Sequence, residues 1–272
     1  MGYNRGYMQG LLVFFTFLVG LAIGSFVNVL IDRAVKGQDF VRGRSHCDHC
    51  GKLLTWYDMI PVLSFLVYRG KSRCCHKTLS WQYPIVEGLI AVLFVWWLTV
   101  GFVFFQLATA PLTLVQPLYW LIIGLCLMII AVMDYIHGVI LLPVVWTGVV
   151  ATLLYRGTLL TLHAYQARDF GLMVIAASAA AIFIWLLRAL TRGRGMGEGD
   201  VYVALLMGFV LGWPRTLVGL FFSFVGGALI SLLLMLFKIK RMQDTIPFGP
   251  FMVMGIVLAL LFGQQFLGMF GW

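Results

Sequence analysis

The sequence predicts an all-α polytopic membrane protein with about eight transmembrane helices and a cysteine-bearing cytoplasmic loop after the first. Three observations carry this. Of the 272 residues, 62% are hydrophobic and only 11% are charged, against just under half and about a quarter in a soluble domain. The apolar residues fall in continuous runs near the roughly 20 residues that cross a bilayer. The runs do not alternate, which excludes an outer-membrane barrel. The basic residues gather on one set of connections. An ordinary water-soluble enzyme and a disordered chain are excluded by the same composition.

The first run, Leu11–Ile31, is too long for the core of a secretion signal and lacks a clear small-residue cleavage site, so it reads as a retained span. A more polar stretch follows, from Asp32 to about Gln82. The remaining runs are Tyr83–Leu107, Leu112–Met133, Val139–Tyr155, Phe170–Leu190, Val201–Trp213, Thr216–Phe237 and Phe248–Phe270. The chain therefore divides into a first transmembrane helix (1–31), a cytoplasmic loop domain (32–82) and a seven-helix membrane domain (83–272). The run after Asp200 is short, with only thirteen residues from Val201 to Trp213 before Pro214, so an irregular or partly submerged helix is expected there. Glycines inside the runs suit close helix packing.

On this eight-span layout, fifteen of the nineteen Lys and Arg residues fall on one side, among them Arg33, Lys36, Lys71, Arg73, Arg188 and Lys238. Arg5, Arg156, Arg168 and Arg215 fall on the other. The positive-inside rule makes the first side cytoplasmic and puts both termini outside. The formal net charge of +9 is thereby an orientation signal with some attraction to anionic lipid. The lipid bilayer is the expected partner of this charge, and nucleic acid is not.

Four of the five cysteines lie in the cytoplasmic loop: Cys47 and Cys50, then Cys74 and Cys75. A reducing compartment favours metal over disulfides. Cys47-Asp48-His49-Cys50-Gly51 has the form of a zinc knuckle, with two thiolates facing one ion and a glycine relieving the turn. The second half is irregular, because adjacent cysteines do not easily point at one ion. Cys75 with Cys74, or with His76, His46 or His49 in its stead, completes the expected structural zinc site. A metal staple would help so small a loop to fold. Cys126, in an apolar run, reads as a core residue.

Only ten residues are acidic, and carboxylates in or beside apolar spans are costly and usually functional. Asp134 closes the third run. Asp200 opens the sixth, in Gly197-Glu198-Gly199-Asp200. Glu87 lies near the start of the second. The topology puts Asp134 and Asp200 at the same cytoplasmic boundary. Facing carboxylates share one proton, and their pKa values split. The ionised member can then take a proton from water while the protonated one polarises a peptide carbonyl. Gly197 and Gly199 would let the backbone bend and approach a substrate strand. The plainer reading is an aspartate stabilised by the start of a helix. Glu198 reads as solvated, and His137 as a boundary histidine facing water. A proton-coupled transporter would need mid-span acids and repeated halves with broken helices, and neither is visible in the sequence.

The motifs then line up in order: Gly24-Ser25-Phe26-Val27-Asn28-Val29, Cys47-Asp48-His49-Cys50, Ile60-Pro61-Val62-Leu63-Ser64, Arg69-Gly70-Lys71, Tyr83-Pro84-Ile85-Val86-Glu87, Asp134, Gly197-Glu198-Gly199-Asp200 and Ile246-Pro247-Phe248-Gly249-Pro250. Across nearly the whole chain the sequence resembles the bacterial type IV prepilin peptidases, GxGD-type aspartic proteases of the inner membrane. The resemblance implies that Asp134 and Asp200 are the catalytic pair. It implies prepilin or type II secretion pseudopilin substrates, cut on the cytoplasmic side between a basic leader and a hydrophobic helix. It also implies N-methylation of the new N-terminus with S-adenosylmethionine, which accompanies the cysteine loop in the longer members. Asn28 and Glu87 are cofactor-site candidates by position only, and no Rossmann-type glycine fingerprint is present. The chain departs from the family's two C-x-x-C pairs at Ser72, where a third cysteine is expected.

Overall fold

The computed structural model describes residues 3–39, 45–47, 49–101, 112–193, 195–238 and 246–271. Asp48, Arg42, Arg44, Arg194, Lys240, Arg241 and the end of the second apolar run lie outside them. Seven helices among the described residues are long and apolar enough to cross a membrane: Met8–Val35, Gln82–Gly101, Val115–His137, Leu142–Thr161, Ala167–Leu190, Arg215–Leu236 and Gly249–Gly268. Their outward faces are apolar, with Leu11, Phe14, Leu154, Ile175 and Leu232 all more than half exposed. A surface of this kind is stable against lipid and not against water. The chain is a multi-pass, all-α membrane protein. Among the described residues the only extended pairings are two isolated bridges, His46 with Leu53 and Lys71 with Thr78.

The chain forms two compact units, Met1–Leu121 and Ile122–Trp272. In the first, α1 (Tyr3–Val35) packs on α3 (Gln82–Trp96), which continues into a π-turn over Trp97–Gly101. Between them lie a 3-10 turn, Trp56–Met59, and the short α2, Leu63–Val67. The α1–α3 contact is made by glycines four residues apart. A Cβ on Gly20 would meet Ala91 Cα at 2.6 Å, and one on Gly24 would meet Glu87 Cα at 2.6 Å. This small-xxx-small face lets the two backbones touch. It sets an antiparallel register that brings Asn28 opposite Tyr83, one turn farther along.

The second unit comprises most of α4 (Leu112–His137), then α5 (Leu142–Thr161), α6 (Ala167–Leu190), α7 (Glu198–Leu211), α8 (Arg215–Leu236) and α9 (Gly249–Gly268). Helix α5 starts three residues later than the apolar run that predicts it. Pro143 occupies its first turn, where a missing N–H costs nothing. Helix α7 is the short element expected after Asp200. Its 14 residues give about 21 Å, less than the roughly 30 Å hydrocarbon core. It is the central helix of the unit and packs on α5, α6, α8 and α9. Val203, Ala204, Leu206 and Met207 are fully enclosed on successive faces. Gly208 comes so close to Ala177 of α6 that no side chain fits between them.

Candidate functional site

Asp134 lies near the C-terminal end of α4, and Asp200 in the first turn of α7. Both are almost wholly buried, at 6% and 5% exposure, and Asp200 is near enough to feel the charge of Asp134. Each carboxylate is oriented by a backbone donor. Asp200 Oδ2 accepts the Gly197 N–H at 2.8 Å, reaching back over its own helix start. Asp134 Oδ2 accepts the Gly249 N–H at 2.7 Å, across 115 residues of sequence. Gly249 is the first residue of α9, so Asp134 stabilises the positive end of another helix. Three helix ends thus meet at one end of the second unit.

The backbone angles and clearances of the glycines define what each contributes locally. Gly197 is extended, with φ −74° and ψ 164°, and Gly199 is helical. Neither uses a left-handed conformation that only glycine adopts readily. What Gly199 supplies is space, because a Cβ there would lie 2.7 Å from Cβ of Ile140. Gly249, in Ile246-Pro247-Phe248-Gly249-Pro250, has a partner too distant in sequence for local pattern to reveal. A Cβ on Gly249 would lie 2.7 Å from Asp134 Oδ2 and 3.0 Å from its Cγ. Gly249→Ala is therefore expected to push Asp134 out of place and slow leader cleavage by about 10- to 100-fold, measured as turnover of a purified prepilin. An unchanged rate would show that Asp134 tolerates the shift.

The flanking polar residues differ in their surroundings. Glu198 is exposed and makes a 3.4 Å surface ion pair with Arg188, which contributes little to stability. His137 is half-buried, and its Nε2 is shielded from solvent with no hydrogen-bond partner, unlike the water-facing histidine expected.

In the first unit, the ligand atoms of Cys47, Cys50, Cys74 and Cys75 all lie within 4.8 Å of one another. The cluster is built from two matching turns. In one, Cys47 N–H donates to the Lys52 carbonyl and Gly51 N–H to the Cys47 carbonyl. In the other, Ser72 N–H donates to the Lys77 carbonyl and His76 N–H to the Ser72 carbonyl. Gly51 and His76 both have positive φ, 71° and 56°. Ser72 is thus the counterpart of Cys47, and Cys75 that of Cys50. Cys74 is additional, and the tight curl of the second turn carries both adjacent thiols inward. Ser72 Oγ lies 3.2 Å from Cys47 Sγ and 3.1 Å from Cys74 Sγ. Burial pushes the Cys47 thiol up, but hydrogen bonds from Ser72 and the loop backbone outweigh it and bring it down to about 6. The hydrogen bond with Cys74 pushes Cys50 up to about 12. Among the described residues no histidine joins the cluster, and His49 is turned to the Thr78 carbonyl.

Asn28 and Glu87 line one cavity of the first unit, together with Ser25, Asp32 and Tyr83. Their environments differ. The Glu87 carboxylate accepts the Val62 N–H at 2.6 Å and is bonded by the Ser25 side chain. Val62 is a β-branched residue at φ 57°, a strained conformation, so Glu87 holds a strained loop in place. Asn28 Nδ2 donates to the Tyr83 carbonyl at 3.0 Å, while its Oδ1 is buried without a partner.

Comparison with known proteins follows the same division. Residues 18–100 match the family model described as the bacterial peptidase A24 N-terminal domain, and residues 121–232 match the type IV leader peptidase family. A protein of Aeromonas hydrophila named prepilin leader peptidase/N-methyltransferase is 32% identical over 92% of this chain and 90% of its own length. The proteins so named from Myxococcus xanthus and Bacillus subtilis are 31% and 28% identical, over 85% and 93% of this chain. The match spans 96% of the Bacillus protein but 65% of the Myxococcus protein, just under two thirds. No solved structure matches. The Aeromonas protein's 32% identity over nearly the whole of both chains, with the two family models falling on the two units, shows that the chain belongs to the type IV leader peptidase family.

Proposed function

We propose that this protein cleaves the leader from type IV prepilins or type II secretion pseudopilins and then methylates the new N-terminus. The observation that carries the peptidase is the pair of buried aspartates, on different helices, within electrostatic reach of each other. Each has its Oδ2 tied to a backbone N–H, so each Oδ1 is the oxygen left to face a substrate. The ionised aspartate takes a proton from water as the water oxygen bonds to the scissile carbonyl carbon. The protonated aspartate donates its hydrogen bond to the carbonyl oxygen, and the amine leaves with a proton. Gly199 keeps Ile140 and the start of α7 close together, and Gly197 anchors Asp200.

The positive-inside bias supports an inner-membrane protein with both termini outside and the aspartates at the cytoplasmic face. Within that layout the loop over 32–82 is cytoplasmic and the region 83–272 is the membrane peptidase. The four thiols of the loop fit a structural zinc. Tetrahedral Zn–S bonds of about 2.3 Å require sulfurs about 3.8 Å apart; Cys47 and Cys75 lie at 3.8 Å and Cys50 and Cys74 at 3.1 Å. Zinc there would tie the two matching turns together.

Methyl transfer is supported by the relatives' names and by a cavity with an orphaned buried acceptor. S-adenosylmethionine would supply the methyl group to the pilin amine. Mass spectrometry of a purified prepilin after incubation with the enzyme and S-adenosylmethionine tests both activities. The mature pilin is expected to lose its leader and gain the mass of one methyl group. An uncut prepilin would overturn the peptidase reading, and a cut but unmethylated pilin the transferase reading.

A further inference from the structure

The cavity of the first unit is about 420 Å³, within the usual range for small-molecule sites. The most buried polar side chain in its wall is Asn28, which is 2% exposed. The amide orientation is fixed, because Nδ2 must donate to the Tyr83 carbonyl. Oδ1 is therefore the atom left over, and a buried carbonyl oxygen without a donor costs free energy. An acceptor in this position calls for a ligand that brings a hydrogen-bond donor, such as an ammonium N–H. Tyr83, its hydroxyl bonded to Asp32 at 2.9 Å, and Glu87, engaged with Val62 and Ser25, hold the walls around it.

The rest of the lining is unlike that of a peptide groove. Arg33 lies on α1 and Lys36 just past its end, about one and two turns beyond Asn28. Eight residues of helix put the far end about 12 Å away. Phe65 and Tyr68 supply aromatic faces. An acceptor in the depth, cations farther out and aromatic rings in the wall match a zwitterionic ligand with a flat ring system.

We propose that this cavity is the methyl-donor pocket, with Asn28 Oδ1 accepting from the ammonium group of S-adenosylmethionine. This rests on the methyltransferase reading above. It also separates the two positional candidates: Asn28 meets the donor, and Glu87 is a positioning residue that holds the Val62 loop. The cavity wall includes Cys47 and Cys74, so the cysteine cluster supports the pocket as well as the loop.

The test is equilibrium binding of S-adenosylmethionine to the purified full-length protein in detergent, alongside ultraviolet cross-linking of the labelled donor to wild type. Asn28→Ala is expected to weaken donor binding at least about tenfold. Cross-links are expected at cavity residues such as Tyr68 or Tyr83. The cross-linking arm needs no variant and decides the location even if Asn28→Ala fails to fold. Cross-links confined to residues 122–272, or equal binding by wild type and Asn28→Ala, would overturn the assignment and leave the methyltransferase reading standing. So would unchanged donor binding with a raised KM for the pilin, which would give Asn28 to the pilin amine. No donor binding and no pilin methylation by wild type would remove both.

Discussion

Asp134→Asn and Asp200→Asn are each expected to abolish prepilin cleavage, by at least roughly 10²- to 10⁴-fold, with the protein still present in the membrane. Asparagine keeps the size of the side chain. Its amide oxygen can still accept the N–H of Gly249 or Gly197, which now bonds the carboxylate at 2.7 Å or 2.8 Å. The helix ends therefore keep their partner and the fold is retained. What is lost is the charge that takes a proton from water, or the proton that polarises the carbonyl. Since neither half works alone, the double variant is expected to be no slower than either single one.

The second large effect concerns the metal. Cys74→Ser is expected to drop bound zinc from near one per chain to well under half, read by metal analysis of the purified protein. Adding Ser72→Cys to that variant is expected to restore it. The two turns repeat at a spacing of 25 residues, which makes Ser72 the structural counterpart of Cys47. The Ser72 hydroxyl already lies against both Cys47 and Cys74, so a thiol there enters the same cluster. Zinc that persists in Cys74→Ser, or fails to return in the double variant, would reject the four-thiol site. Because Cys47 and Cys74 also line the cavity, chelation is expected to weaken donor binding along with zinc.

Much of this molecule is legible in one dimension, for a physical reason. A bilayer imposes length and apolarity on each span, so hydropathy reports the helices directly. The scarcity of acids made Asp134 and Asp200 conspicuous, since a carboxylate at a membrane boundary is costly. The illegible parts are those that depend on contacts between distant segments. Gly249 acquires its role from Asp134, which no local pattern links to it. The inward turn of both Cys74 and Cys75 follows from a backbone curl that spacing alone argued against. Asn28 and Glu87 looked alike as positional candidates, and only their hydrogen bonds separate them. That Gly199 must also be small follows only from its neighbour Ile140, which the sequence places nearly sixty residues away.

The central claim is that two aspartates on α4 and α7 act as one catalytic unit. Its most direct test is a side-by-side cleavage assay of a purified prepilin by wild type, Asp134→Asn, Asp200→Asn and the double variant, all at equal folded concentration. Wild type is expected to turn over the prepilin, and the other three to show no cleavage above background. Wild-type cleavage retained by either single variant would contradict it.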